Sequence, residues 1–196
     1  MERKRLYVFD FDGTLTKKDS LIAFILFVKG WGTLLLTFLR YSPFLLLMRM
    51  GLYDNGKTKE KVFSKCFRGM SLTVFNDYCQ RFARECRPLL REKAAVYINK
   101  VGEENCVIVS ASVENWVQPF FPEVRVLGTE IEVKDGRLTG RFTTPNCYGM
   151  EKVHRLQQAF PNRTDYYLIA FGDSRGDQQL LDYADEAYYQ PFRKEQ

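Results

Sequence analysis

Leu6-Tyr7-Val8-Phe9, followed at once by Asp10-Phe11-Asp12-Gly13-Thr14-Leu15-Thr16, is the stretch on which the fold of this chain turns. A short β-rich run over residues 4–10 ends in two carboxylates one residue apart, and a glycine comes next. In an open parallel α/β sheet, ligands bind in the crevice outside the carboxyl ends of the strands. Both acids would therefore project into that crevice. Asp-Gly is also ordinary turn chemistry, so the stretch alone fits either a catalytic loop or a strand that stops in an acidic turn.

The rest of the chain decides. Asn105-Cys106-Val107-Ile108-Val109-Ser110 is a second buried apolar run ending in a small polar residue, and Val124-Arg125-Val126-Leu127-Gly128 reads as a further strand. Ile131-Glu132-Val133-Lys134-Asp135-Gly136-Arg137-Leu138-Thr139-Gly140 alternates about Asp-Gly, the turn chemistry of a β-hairpin. Residues 150–160 are patterned as a helix. Tyr166-Tyr167-Leu168-Ile169-Ala170-Phe171 is another buried strand, with Gly172-Asp173-Ser174-Arg175-Gly176-Asp177 at its carboxyl end. Alternating strands and helices predict an α/β fold, a parallel sheet core flanked by helices. Residues 20–100 are helical throughout, with a turn at Tyr53-Asp54-Asn55-Gly56 and a break near Gly69. That block leaves after the acidic loop and returns just before the second strand. It is expected to be an inserted all-helical cap (19–100) over the mouth of a core made of 1–18 and 101–196.

Composition narrows the chemistry. The 196 residues carry 29 basic and 24 acidic side chains, a net charge of +5, and one histidine, His154. A histidine metal cluster is impossible, and any Ser/His/Asp triad would have to be built on His154. The basic excess is modest, so no nucleic-acid partner is expected. Lys57, Lys59, Lys61, Lys65 and Arg68, which share their stretch with Glu60, read as a solvated helix face. Five cysteines (Cys66, Cys79, Cys86, Cys106, Cys147) form no Cys-x-x-Cys pair and read as reduced thiols of a cytoplasmic protein. Met1-Glu2-Arg3-Lys4-Arg5 resembles the start of a signal peptide, but Asp10 and Asp12 cut off the apolar run behind it too soon. Between Leu21 and Met50 lie three apolar pieces, Leu21 to Val28, Leu34 to Leu39 and Phe44 to Met48, divided by Lys29, Arg40 and Pro43, with Arg49 at the end. No piece reaches the roughly 18 uninterrupted apolar residues of a spanning helix. The expectation is helices that pack on one another or lie at a membrane interface, with Phe24 and Leu35 as examples of side chains that would face lipid.

Three strands thus end in polar residues: Asp10 and Asp12, Ser110, and Asp173 with Asp177. With Lys152 in Gly149-Met150-Glu151-Lys152-Val153 they form four motifs in order, and by these the chain resembles the haloacid dehalogenase superfamily of phosphotransferases over nearly its whole length. The resemblance implies a Rossmann-like core and a phosphomonoester hydrolase. Asp10 would be the nucleophile that forms an aspartyl-phosphate, and Asp12 the general acid and base of both half-reactions. Ser110 and Lys152 would bind the phosphoryl oxygens, with Gly13 and Thr14 shaping the loop. Mg²⁺ would be held by Asp173, Asp10 and the Asp12 backbone carbonyl, and Asp177 would either support the metal through water or orient Lys152. His154 would only flank the site.

The position of the insertion resembles the branch with a helical cap after the first motif, that of the phosphoserine phosphatases. Asp19 falls where those enzymes carry a substrate-binding Glu. Ser110-Ala111-Ser112 with Trp116, and Asn146-Cys147-Tyr148-Gly149, look more like bacterial cap-bearing hydrolases that include a phosphatidylglycerophosphate phosphatase. The resemblance implies a lipid phosphate as substrate and peripheral contact of the cap with the inner face of the membrane. A soluble ester such as phosphoserine is the alternative, and a phospho-ligand binding module without turnover is a third reading.

Overall fold

The computed structural model describes residues 3–49 and 55–193. In chain order the elements are β1 (Lys4–Phe9), α1 (Ser20–Arg49), α2 (Asn55–Phe67), α3 (Leu72–Glu85), α4 (Glu92–Val101), β2 (Cys106–Val113) and α5 (Glu114–Val117). Next come β3 (Arg125–Thr129), β4 (Ile131–Lys134), β5 (Arg137–Phe142), α6 (Met150–Ala159), β6 (Tyr166–Gly172), α7 (Gln178–Tyr183) and β7 (Glu186–Tyr189). Five strands form one parallel sheet in the order β3-β2-β1-β6-β7. β1 lies at its centre, pairing through Phe9 with Ile108 on one side and Phe171 on the other. The fold is Rossmann-like α/β. From β1 the sheet grows one way through β2 and β3 and then the other way through β6 and β7, and the reversal opens a crevice at the carboxyl ends of β1 and β6.

Burial on both faces explains why these strands are apolar almost without interruption. Leu6, Val8, Val109, Leu168 and Ala170 face Leu156 of α6 and Leu180 and Leu181 of α7. Alternate residues, among them Phe9, Ile108 and Phe171, face the opposite layer with Phe82 of α3 and Ile98 of α4. The hairpin expected about Asp135-Gly136 is present, with both turn residues at positive φ (50° and 71°). It docks on the helical block: Gly69 N–H donates to Leu138 O (2.8 Å) and Leu138 N–H to Met70 O (2.9 Å). β7, a four-residue edge strand with mostly exposed side chains, carries no apolar run that would announce it.

The helical block departs from its sequence reading first in where it breaks. α1 runs on through Pro43, and its break is at Gly30, which takes φ 74° and ψ 176°. The window Ser20–Thr37 (mean hydropathy 1.8) is long and apolar enough to cross a membrane by length and composition, although 28% of it is buried within the protein. The turn expected at Tyr53-Asp54-Asn55-Gly56 lies partly outside the described residues, and Asn55 and Gly56 open α2. Of Phe44 to Arg49 only the helical backbone is described.

Phe24 and Leu35, alike in sequence, have opposite fates. Phe24 is fully buried, with ring centroids 5.0 Å from Trp116, 5.2 Å from Phe82 and 5.4 Å from Phe67. It is core, and the expectation that it faces lipid is corrected. Leu35 is 61% exposed. Phe24→Ala should therefore destabilise the protein by about 3–5 kcal/mol in urea unfolding, whereas Leu35→Ala should stay within about 0.5 kcal/mol of wild type. Equal losses would contradict this division of α1.

Candidate active site

The chain leaves β1 at Asp10 and passes through a wide turn at Phe11–Leu15. Asp10 N–H donates to Phe171 O (2.9 Å), which fixes the start of the turn to the end of β6. At Gly13 φ is 84°, and a Cβ there would collide with the Asp173 carboxylate. The loop can approach Asp173 only with glycine at this position.

Lys152 organises the floor of the crevice. It projects from the first turn of α6 with only 2% of its surface exposed. Its Nζ donates to Asp10 Oδ1 (2.5 Å) and to Val109 O (2.9 Å), and lies 2.6 Å from Asp177 Oδ1. Burial works against the ammonium, but the two carboxylates outweigh it and hold the Lys152 pKa above its ordinary value. Asp10 is pushed up to about 7, chiefly by burial and against the pull of Lys152. Its other oxygen accepts from Thr14 Oγ1 (3.1 Å). Asp177 goes the other way. Burial opposes its charge, but Lys152 and the amides of Asp173 and Ser174, both donating to Oδ2 at 3.0 Å, hold its pKa below the usual carboxylate range. Ser174 Oγ also donates to Oδ2 (2.9 Å). Both oxygens of Asp177 are thus engaged, Oδ1 by Lys152 and Oδ2 by Asp173 and Ser174.

Asp12 sits apart from that cluster. Ser20 N–H donates to its Oδ1 (2.7 Å) and Ser112 Oγ to its Oδ2. Behind these, Trp116 Nε1–H donates to Ser20 Oγ (3.1 Å), which lies 2.9 Å from Ser112 Oγ. The donors can all run toward Asp12, from the indole through both hydroxyls. Burial raises the Asp12 pKa and the Asp19 carboxylate adds to this, while Lys59, Ser112 and Ser20 oppose it. Ser20, Ser112 and Trp116 were not assigned this role from sequence. A serine opening a helix and a second serine two residues after Ser110 were the available signals.

Ser110 is fully buried at the end of the regular apolar run in β2, its Oγ accepting from Ser112 N–H (3.0 Å). Asp19 is exposed at the rim, where its Oδ1 accepts from Ile22 N–H (3.0 Å) at the start of α1. His154 is exposed on α6, 3.8 Å from Glu151.

A cavity of about 320 Å³ joins these groups. Its floor includes Asp10, Asp12, Ser110, Lys152 and Asp177, and its other wall comes from the helical block: Leu21, Ile22, Ile25, Thr37, Thr58, Lys59 and Val62. Lys59 does not lie on the solvated face expected of it. Helical spacing puts Lys57, Lys61 and Lys65 on one side of α2 and Lys59 on the other, and that other side is the cavity wall.

Carboxylate oxygens of Asp10, Asp173 and Asp177 lie within 4.8 Å of one another. This donor set is all oxygen and leaves a side open to the cavity, which suits a hard divalent cation with waters or phosphate completing its shell. Asp173 is the member least engaged by Lys152, and Arg193 donates to its Oδ2 from the C-terminal segment. Burial and the neighbouring Asp177 raise the Asp173 pKa. The residues present fit Mg²⁺.

Comparison with known proteins decides the family. A model of haloacid dehalogenase-like hydrolases matches residues 7–182. The chain belongs to that family. Among curated relatives, Protein CicA of Caulobacter vibrioides is 34% identical over 201 residues, covering 96% of this chain and 86% of CicA. Among solved structures, a Bordetella pertussis protein described as of unknown function superposes with a TM-score of 0.78 at 22% identity, covering 94% of this chain and 89% of that one. A phosphoserine phosphatase from T. onnurineus superposes at 0.61 with 18% identity, covering 95% and 84%. These likenesses extend the shared fold over almost the whole haloacid dehalogenase-like chain, helical block included.

Proposed function

We propose that this chain is a Mg²⁺-dependent phosphomonoesterase working through an aspartyl-phosphate on Asp10, with residues 19–100 as a cap that supplies the specificity wall. The observation that carries the reading is Lys152, buried between Asp10 and Asp177. It neutralises the carboxylate that must approach a phosphate dianion, and it engages Asp10 through Oδ1, leaving Oδ2 with Thr14 Oγ1. The metal, held by Asp10, Asp173 and the Asp12 backbone carbonyl, would supply the remaining positive charge that makes this approach attractive.

Asp10 attacks phosphorus in line, and the bond from phosphorus to the alkoxide oxygen breaks. Asp12, held by Ser20 and Ser112, gives its proton to the departing alkoxide. It then takes a proton from the water that opens the Asp10 acyl-phosphate, so the two proton transfers balance over one turnover. Ser110 donates to a phosphoryl oxygen, and Lys152 does so by giving up its bond to Val109 O. Asp177 keeps Lys152 in place.

The substrate we favour is a lipid phosphate such as phosphatidylglycerophosphate, because Leu21, Ile22, Ile25 and Val62 line the cap side of the cavity. Such an enzyme would be cytoplasmic and peripheral at the inner face of the membrane. A soluble ester such as phosphoserine is the second reading. It is favoured by Asp19 and Lys59, an acid and a base on the same wall that could meet an amine and a carboxylate.

Phosphate release with Mg²⁺ should be compared on dispersed phosphatidylglycerophosphate, phosphatidic acid, phosphoserine and p-nitrophenyl phosphate, with Asp10→Asn as the blank. A preference for the lipid esters is expected, together with complete loss of release in Asp10→Asn at unchanged far-UV circular dichroism. Preference for phosphoserine would move the substrate to the second reading. No Asp10-dependent release from any ester would leave a phospho-ligand binding module.

A further inference from the structure

We infer that the outer face of α1 beyond Gly30, residues 31–40, is a docking surface for an anionic lipid bilayer.

The two arms of α1 are built differently. Before Gly30, Phe24 and Ile25 are buried, so this arm is anchored in the protein core and is not free to cross a bilayer. Beyond Gly30, Leu34 and Thr37 are buried on the inner side. The opposite side carries Trp31 (74% exposed), Leu35 (61%), Leu36 (70%) and Leu39 (63%). Spacings of four, five and eight residues put these four on one face. A surface helix ordinarily turns polar residues outward, and one that is apolar all round is normally buried in protein or lipid. The described residues of this chain leave Trp31, Leu35 and Leu36 open on that face.

Charge selects the occupant. From Ser20 to Tyr53 the sequence contains no Asp or Glu, whereas Lys29, Arg40 and Arg49 lie within it. Arg40 is exposed beside Leu39 at the end of the apolar face. A tryptophan and leucines flanked by base with no acid match an interfacial helix on anionic headgroups. Because the core anchors the first arm, the Ser20–Thr37 window is read as lying on the bilayer rather than crossing it. Thr37, on the reverse of the same arm, lines the cavity. Docking would therefore place the cavity wall at the lipid surface, a consequence that rests on the phosphatase reading.

Two tryptophans make the test direct, since Trp116 is buried (2%) and Trp31 is not. Full-length protein would be mixed with phosphatidylcholine vesicles with and without phosphatidylglycerol, and monitored by co-flotation and tryptophan emission. Wild type should float with the anionic vesicles and shift its emission to the blue. Leu35→Gln/Leu36→Gln/Leu39→Gln, which keeps helix-forming residues and Trp31, should partition at least about ten-fold more weakly while hydrolysing p-nitrophenyl phosphate as wild type does. No flotation of wild type, or equal flotation of the triple variant, overturns the inference. So does equal binding to neutral vesicles, or a dimer in sedimentation velocity that the triple variant dissolves without any vesicle binding. Asp10→Asn should dock as wild type does. If it and wild type dock but no ester is hydrolysed, the phosphatase reading fails and the docking surface stands.

Discussion

Lys152→Ala should remove both turnover and much of the stability of this protein. The ammonium is shared by Asp10 at 2.5 Å and Asp177 at 2.6 Å, with almost no access to water. Removing one partner of a buried ionic cluster leaves the others uncompensated, typically at about 3–5 kcal/mol. Loss of a preorganised charge at the reacting phosphoryl group should lower kcat by roughly a hundred- to a thousand-fold. The pH dependence separates charge from packing. Asp10 already titrates at about 7 with Lys152 present, and without it burial should raise that value further. An acid whose pKa is raised on folding binds more protons folded than unfolded, so its effect on stability worsens as pH rises from the ordinary carboxylate range through the folded value. Asp177, held low by Lys152 in the wild type, contributes stability that is present above the ordinary carboxylate value and lost as pH falls. The variant loses this contribution. Thermal unfolding in a chelator-containing buffer should thus show a deficit for Lys152→Ala that is already present at pH 5, where the Asp177 contribution is lost, and that widens further as pH rises above about 7, where only the variant's Asp10 stays protonated. Lys152→Met, which keeps most of the volume, should behave the same way. A deficit independent of pH, or one that Met repairs, would mean that Lys152 is held by packing rather than by its two carboxylates.

The carboxylates of that cluster were legible in the sequence because they stand at strand ends, where backbone pattern fixes position. Asp10, Ser110 and Asp173 come after apolar runs too short and too β-rich to be helices. In a parallel sheet such runs end at one edge whatever the details of packing. Lys152 has no such signal, since by pattern alone it reads as a solvated helix lysine, and only the resemblance to the haloacid dehalogenase family singles it out. The shell around Asp12 was not legible in the same way. Ser20, Ser112 and Trp116 come from separate elements, and hydroxyl contacts over such separations leave no periodic signal. α1 shows a different limit. Composition identifies its residues as apolar but cannot say which apolar face the protein itself covers, so Phe24 and Leu35 read alike until the break at Gly30 and the rings around Phe24 are known. Lys59 was recoverable in principle, since its helical phase opposes that of Lys57, Lys61 and Lys65, but the lysine-rich composition of the stretch concealed it.

Asp12→Asn should leave the fold intact and slow both chemical steps. An asparagine can accept from Ser20 N–H through Oδ1 and donate to Ser112 Oγ through Nδ2, so the contacts that hold Asp12 survive and only its proton transfer is lost. A positioned general acid or base is worth roughly a hundred- to ten-thousand-fold, and the loss should depend on the leaving group. With p-nitrophenyl phosphate the phenolate departs without protonation, so Asp10 should still be phosphorylated. Opening the acyl-phosphate still needs a base, and rapid mixing should show a burst of nitrophenol stoichiometric with enzyme, then slow turnover. With an alkyl phosphate the first step also needs the acid, and no burst should appear. The neighbours of Asp12 give the accompanying shifts in pH dependence. The Asp19 carboxylate raises the Asp12 pKa and Lys59 lowers it, and activity on an alkyl ester requires the protonated form at the start of the cycle. The limb on which kcat falls with rising pH should therefore move to lower pH in Asp19→Asn and to higher pH in Lys59→Ala. Opposite displacements in two variants on the same cavity wall are hard to obtain from loss of substrate contacts, which would alter KM without moving the limb. If both variants raise KM at an unchanged pH profile, Asp19 and Lys59 read the substrate, and Asp12 owes its proton to burial alone.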